Sequence, residues 1–254
     1  MHIAVLIKQI HNTGSTQLQP DPEASPADFR INRLDEHALE EALRIKESIE
    51  ETLLTLVSVG PDRVTEALRR GLGMGADEAV QIKADFEPLC ATETAAALFP
   101  VLDDLRPDLI LCGAMSEDLM QGMTGPALAA MLGIPHTSQA VKELCITKGC
   151  GTLEVTRDAG AGTRQVVSLP FPCLVSVQQG FNTPRYPNIT HMIKARSRHI
   201  KCRNAPPPAP TVTTPVTGTS PPIQRGRGLR IKGSPEEQAA HVIAYLEERQ
   251  VLQG

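Results

Sequence analysis

Between residues 2 and 135 an apolar run of strand length is followed by a stretch of helical periodicity four times in succession. The first strand is "HIAVLIK" (2–8). After a polar stretch rich in Pro and Asp, reaching about residue 31, "DEHALEEALRIKE" sets Ala38, Leu39, Ala42, Leu43 and Ile45 on one helical face, with acids early and bases late. "TLLTLVSVG" (52–60) is the second strand, closed by Gly60-Pro61, and "DRVTEALRRGL" is the second helix, with Asp62 as its expected N-cap. "EAVQI" (78–82) leads to "ATETAAALFPVLDDL", entered through Thr92, and "DLILCG" (108–113) leads to "GAMSEDLMQGMTGPALAAMLGIP". This alternation predicts an α/β fold, a doubly wound, mostly parallel sheet with flanking helices and right-handed crossovers. Aromatic residues are 3% of the 254 and Trp is absent. The core is left to Leu, Ile, Val, Ala and Met, which suits a sheet covered on both faces.

Beyond Pro135 the pattern changes. "LEVTRDAGAGTRQVVSL" (153–169) and "PCLVSVQ" (172–178) have strand composition around a glycine-rich turn at 159–162, which predicts an antiparallel hairpin that extends or flanks the sheet. Residues 180–203 read as a loop and a short basic helix. "NAPPPAPTVTTPVTGTSPP" (204–222) is a Pro/Thr linker that cannot pack a core. It leads to "SPEEQAAHVIAYLEERQ", a helix with a Ser234 cap, Pro at the first helical position and acids in the first turn. The expected organisation is an α/β domain over 1–203 and an arm over 204–254, whose terminal helix packs on another chain.

A net charge of −4 gives no general attraction for nucleic acid or an anionic membrane, and the one basic run, 194–203, is short and local. The N-terminal apolar run is too short for a signal-peptide core or a membrane span, so a cytoplasmic chain is expected. Six cysteines (Cys90, Cys112, Cys145, Cys150, Cys173, Cys202) form no C-x-x-C pair and read as reduced thiols rather than disulfides or a metal site. "GLGMGAD" (71–77) imitates a dinucleotide fingerprint, but it follows a helix and precedes a strand, so a helix C-cap and turn are expected. No P-loop, no G-x-S-x-G and no H-E-x-x-H is present, and Asp103-Asp104 read as solvent-facing charge.

A ligand site is better supported. Strand ends at 6–8, 59–60 and 112–113 converge on one edge of the sheet. There the loop after Gly113 offers backbone N–H groups, Ser116 and Thr124 at the start of a helix whose dipole favours phosphate. That geometry suits an adenine nucleotide; a plain surface loop capped at Thr124 is the other reading.

Four stretches make the chain resemble the β subunit of electron-transfer flavoprotein over about residues 1–203, with a weaker echo in the last helix. They are "INRLDEHALEEALRIKE", "GLGMGADEAVQI", the Gly113 loop with "LAAMLGIP", and "FNTPRYPNITHMIKARSR". The resemblance implies a doubly wound domain that pairs with an α subunit carrying FAD. The pair acts as an electron carrier between flavin dehydrogenases and an acceptor. Within β it implies a nucleotide at Leu6, Asn32, Arg33, Leu34, Asp35 and Val59, and at Gly113, Ala114, Met115, Ser116, Asp118, Gln121, Gly122, Met123 and Thr124 of the loop. In one branch of the family that nucleotide is AMP. In another it is a second FAD that takes electrons from NADH and bifurcates them.

Members that bind AMP tend to read Asn-Gln-Thr-Gly where this chain has Gly122-Met123-Thr124-Gly125, and an acid where it has Leu119. The small Gly122 and the following Pro126 are closer to members with a second flavin. Phe181, Asn182, Pro184, Arg185 and Tyr186 resemble the loop that docks on dehydrogenase partners; the alternative is a loop packed on its own domain. Arg33, Lys8 and Arg157 are candidates by sign for tuning a flavin. No catalytic residue and no metal ligand is expected. A nucleotide-binding regulatory or sensor module of the same fold, without a redox role, is the competing function.

Overall fold

Along β1 (His2–Leu6) alternate side chains part company: Ile3 and Val5 enter one hydrophobic core, Ala4 and Leu6 the other. The same period of two places Leu109 and Leu111 against Ile110 and Cys112 on β6 (Leu109–Gly113). It also places Cys173 and Val175 against Leu174 on β10 (Cys173–Val177). Strands apolar on both faces must be covered on both. Helices α1 (Arg33–Ser48), α2 (Val64–Met74) and α5 (Ile189–Arg196) supply Leu39, Leu68 and Ala195 to the first core. Helices α3 (Ala91–Leu105) and α4 (Thr124–Leu132) supply Leu98, Leu102 and Leu128 to the second.

The computed structural model describes residues 1–12, 29–84, 90–147, 151–206, 228 and 230–251. The remaining strands of the main sheet are β4 (Leu53–Gly60), β5 (Glu78–Lys83), β7 (His136–Thr147), β8 (Thr152–Asp158), β9 (Arg164–Pro170) and β11 (Lys201–Asn204). Among the described residues the sheet has nine strands in the order β11-β5-β4-β1-β6-β10-β7-β8-β9. Pairing is parallel from β11 to β7 and antiparallel from β7 to β9. A separate ribbon pairs β2 (Gln9–His11) with β3 (Phe29–Ile31) and brings the chain from the end of β1 to the start of α1.

The doubly wound sheet agrees with the sequence reading, and the hairpin over 159–162 is present as β8–β9. "PCLVSVQ" departs from it: β10 lies between β6 and β7 as a buried parallel strand, not beside the hairpin. β7 and the edge strand β11 escaped notice because their sequences, HTSQAVKELCIT and KCRN, mix polar and apolar residues without a clean period. Asp62 does not cap α2; Arg63 holds the N-cap position, and Asp62 pairs with Lys83 at 3.0 Å instead. Cys90, rather than Thr92, precedes α3. "GLGMGAD" does close α2, where Gly75 at φ +130 adopts a conformation that a side chain would resist.

The chain divides into two units, Met1–Pro215 and Val216–Gly254. In the second, α6 (Pro235–Glu248) starts with a complete capping box, Ser234 and Glu237 each bonding the other's backbone N–H. The Pro/Thr linker expected over 204–222 begins within the domain, where Asn204 ends β11 and Ala205 packs on the second core; from 207 it lies outside the described residues, as does the polar stretch over 13–28. Among the described residues no helix is long and apolar enough to cross a membrane.

Leu111 is fully buried at the centre of the sheet. Leu111→Ala is expected to lower stability by about 2–5 kcal/mol, read as a fall in the urea midpoint at unchanged slope.

Candidate functional site

From β1 the chain moves outward through β4 and β5, then returns to place β6 on the other side of β1. Crossovers on the two sides diverge at that point and leave a crevice beyond the carboxyl ends of β1 and β6, where doubly wound sheets take their ligands. The crevice has a cavity volume of ≈ 140 Å³, about what a single six-membered ring needs. Leu6, Val57, Val59, Val64 and Leu98 make an apolar floor; Lys8, Ser116, Asp118 and Thr124 make a polar rim.

One carboxylate ties the strand ends together. Asp35, in the first turn of α1, accepts the Lys8 N–H at 2.8 Å through Oδ2 and the Gly113 N–H at 2.9 Å through Oδ1. It thus joins the end of β1 to the end of β6. Burial pushes its carboxyl up to about 7, against the lowering effect of those bonds and of Asn32. The approach leaves no room at Gly113, where a Cβ would strike Asp35 Oδ1 and lie 2.7 Å from Leu34 Cβ.

The loop over 114–123 is held by α1 as well. Asn32 stands at the N-cap of α1, yet its side chain does not cap the helix. Its Nδ2 donates to the Met115 carbonyl at 3.0 Å and its Oδ1 accepts from the Glu117 N–H at 3.1 Å. A cap worth about 1 kcal/mol is given up to fix the loop. Burial would raise the Glu117 carboxyl, but Arg30, at 2.8 Å, and Arg33 outweigh it and hold it below its usual range. Across the mouth, Lys8 Nζ meets Asp118 Oδ2 at 2.7 Å and donates to Ser116 Oγ at 3.4 Å. Gln121 Oε1 accepts the Ala91 N–H at 2.7 Å, tying the loop to the start of α3. No side chain caps α4, whose first residues, Thr124 and Gly125, line the cleft.

The structure brings most of the sequence-derived residues together. Leu6, Asn32, Asp35, Val59, Gly113, Ala114, Met115, Ser116, Asp118, Gln121, Gly122 and Thr124 line the cleft. Three do not line it. Leu34 is buried against Gly113, Arg33 turns outward toward Glu117, and Met123 is exposed. Lys8 is at the mouth, whereas Arg157 is on β8, away from the cleft. Ile7 and Cys112 lie in the strand ends expected at this edge, and Leu119 and Gly125 in the compared loop; sequence reasoning missed Gln9, Val57, Pro61 and Val64, together with Ala91, Thr94 and Leu98 of α3. Most are neighbours of strand ends already recognised, but α3 comes from a different crossover and carries no local mark.

The second set of residues lies along α1. Arg185 grips Glu40 with Nε at 2.9 Å and Nη2 at 3.0 Å, and reaches Glu47 with Nη1 and Nη2. These bonds raise its already high pKa further. Asn182 bonds His37 and Glu41. Pro184 is half-buried, and Phe181 is half-buried against the first core. Tyr186 stands out, 85% exposed, with Arg70 beside its ring at 5.3 Å. Further along, Ile189 and Ile193 of α5 are also exposed.

Among the described residues no cluster of His, Cys, Asp and Glu is placed to hold a metal ion. Cys112 and Cys173 are buried free thiols, and burial pushes Cys173 up to about 12.

Fold and cleft together define a doubly wound α/β domain with a crevice at its switch point. A family model, the electron transfer flavoprotein domain, matches residues 24–208. The chain is 34% identical over 214 residues to the electron transfer flavoprotein subunit beta of Bradyrhizobium diazoefficiens, covering 83% of each chain. It is 31% identical to the subunit of the same name from Methylophilus methylotrophus, over 87% of this chain and 86% of that one. With that of Megasphaera elsdenii it shares 28% identity over 97% of both. The chain belongs to the electron-transfer flavoprotein family, in its β-subunit branch.

The raised pKa of Asp35 sets a pH dependence. The unfolded chain loses this proton near 3.8 and the folded chain near 7. Between those values the folded state binds more protons, so its stability falls as pH rises, and the loss levels off above about 7. Asp35→Asn removes that titration. The difference in unfolding midpoint between the wild-type chain and this variant is expected to shrink from pH 4 to pH 7 and stay constant beyond, as thermal melts at fixed ionic strength would record.

Proposed function

We propose that this chain is the β half of a heterodimeric electron carrier, pairing with an FAD-bearing α subunit. Its own cleft holds an adenine nucleotide, either AMP or a second FAD. The observation that carries the reading is the composition of the crevice. An apolar floor fits a flat ring system. The polar rim and the uncapped start of α4 suit an anionic end.

The residues fit such a group. Leu6, Val59 and Leu98 would flank the ring; Ser116, Thr124 and the N–H groups at the start of α4 would take the phosphate. A side chain at Gly125 would be tight, its Cβ 3.1 Å from Cys112 Sγ and 3.2 Å from Leu174 Cδ2. Gly122, at φ +64, lets the loop turn toward Ala114. A bound flavin supplies reversible one- and two-electron chemistry. The chain's part is to set its position, its exposure to water and the charges near it, of which Lys8 and Asp118 stand at the mouth.

The loop over 181–186 and the adjoining α5 present Tyr186, Ile189 and Ile193 to solvent. This apolar ridge, anchored through Arg185, suits docking on a flavin dehydrogenase. The arm over 204–254 packs on the α subunit in this reading.

The test is to co-express the chain with its α partner, purify the complex, and count released nucleotides per heterodimer by chromatography and absorbance. Two flavins would assign FAD to this cleft and favour NADH-linked bifurcation; one flavin and one AMP would make the nucleotide structural. A stable, colourless homodimer that leaves the flavoprotein partner unbound would overturn the carrier reading.

A further inference from the structure

His37 lies on α1, two residues beyond Asp35, buried under the loop over 178–186. Four hydrogen bonds fix what its ring must be. Asn182 directs Nδ2 to two acceptors, the His37 carbonyl at 3.0 Å and Glu41 Oε2 at 3.2 Å, which settles the orientation of its amide. Its Oδ1 therefore faces His37 Nδ1 at 3.0 Å, and that nitrogen must carry the proton. On the other side of the ring, the Gly180 backbone N–H points at Nε2 at 3.3 Å, so Nε2 must be a bare acceptor. Only the neutral Nδ1–H tautomer satisfies both contacts.

The geometry points to His37 as a positioning residue for the docking loop, holding its Gly180–Asn182 segment in the neutral tautomer and releasing it when Nε2 takes up a solvent proton. Protonation sets two N–H donors against each other at Gly180. Gly180, at φ +81, is the hinge from which Phe181 leaves the core strand β10. Arg185, clamped to Glu40 and Glu47, keeps the far end of the loop in place, so the release stays local to 178–183.

The charged groups of the same network are Glu40, Glu41 and Arg44 on α1 and Arg185 on the loop. Glu40 is held below its usual range: burial would raise it, and Arg185 prevails. Burial pushes Glu41 up, and among the described residues it is the other titratable side chain bonded to Asn182. That this loop meets a dehydrogenase rests on the function proposed above; that His37 pins it does not.

The experiment uses the full chain in complex with its α subunit. Selective ¹⁵N-histidine labelling reports each imidazole's tautomer and protonation by long-range ¹H–¹⁵N correlation, and the His37→Gln variant assigns the His37 signals among the seven histidines. Hydrogen exchange over 178–183, corrected for its intrinsic pH dependence, is followed from about pH 8 to about pH 5. The expected result is an Nδ1–H imidazole at high pH and about a fivefold rise in exchange that tracks its protonation. That rise should be absent in His37→Gln and retained in Glu41→Gln, which keeps the acceptor for Asn182. An Nε2–H tautomer overturns the proposal. So does loop exchange that fails to follow the His37 titration, a ring that stays neutral down to about pH 5, or a rise that Glu41→Gln abolishes. Reduction of the complex by a flavin dehydrogenase, measured over the same range, separates the two readings. Loop release with no change in that rate leaves the pin standing and removes the docking role from 181–186.

Discussion

The carboxylate of Asp35 joins the ends of β1 and β6 where the crossovers diverge. β1 and β6 pair within the sheet, but at the switch point the connections that leave them diverge to opposite sides. Here a buried side chain from the start of α1 takes the Lys8 N–H with one oxygen and the Gly113 N–H with the other. Backbone groups that would otherwise turn to water are thereby fixed, and the crevice acquires a definite width. The arrangement is a costly one, since burial disfavours the charge that makes the bonds strong. Gly113 is part of the same solution, because its missing side chain is what allows Asp35 and Leu34 to come so close.

Helix α1 then serves both ends of the molecule's work. Its first turn organises the cleft through Asn32 and Asp35; its next turns hold the loop over 178–186 through His37, Glu40, Glu41 and Glu47. A rigid helix sixteen residues long therefore relates the proposed nucleotide to the proposed docking surface at a fixed spacing. Such spacing matters for a protein whose contribution is position rather than acid–base chemistry. The polar groups on this side of α1 are mostly committed to each other. The apolar groups left outside, Tyr186, Ile189 and Ile193, are the ones available to a partner.

Much of this was legible in the sequence, and the parts that were not share a cause. Helices α1 to α4 announce themselves through periodicity, and the Gly113 loop through its position between an apolar strand and a helix. β10 looked like one arm of a hairpin because a short apolar run carries no information about its neighbours; only pairing with β6 and β7 makes it central. Asn32 and Asp35 entered as site positions through the resemblance alone; that they tie the Gly113 end and its loop to α1 was not legible, because those partners lie roughly eighty residues away. Thr94 and Leu98 were invisible as site residues for the same reason. His37 gave no signal at all: its role follows from which atoms face its two nitrogens.

The most direct measurement is hydrogen exchange on the purified heterodimer before and after its nucleotides are stripped. If the crevice between β1 and β6 holds one of them, protection should fall at residues 6–9 and 113–125 and at the start of α3, with the central strands unchanged. Unaltered exchange at those residues, with changes confined to the α subunit, would contradict a nucleotide bound in this chain.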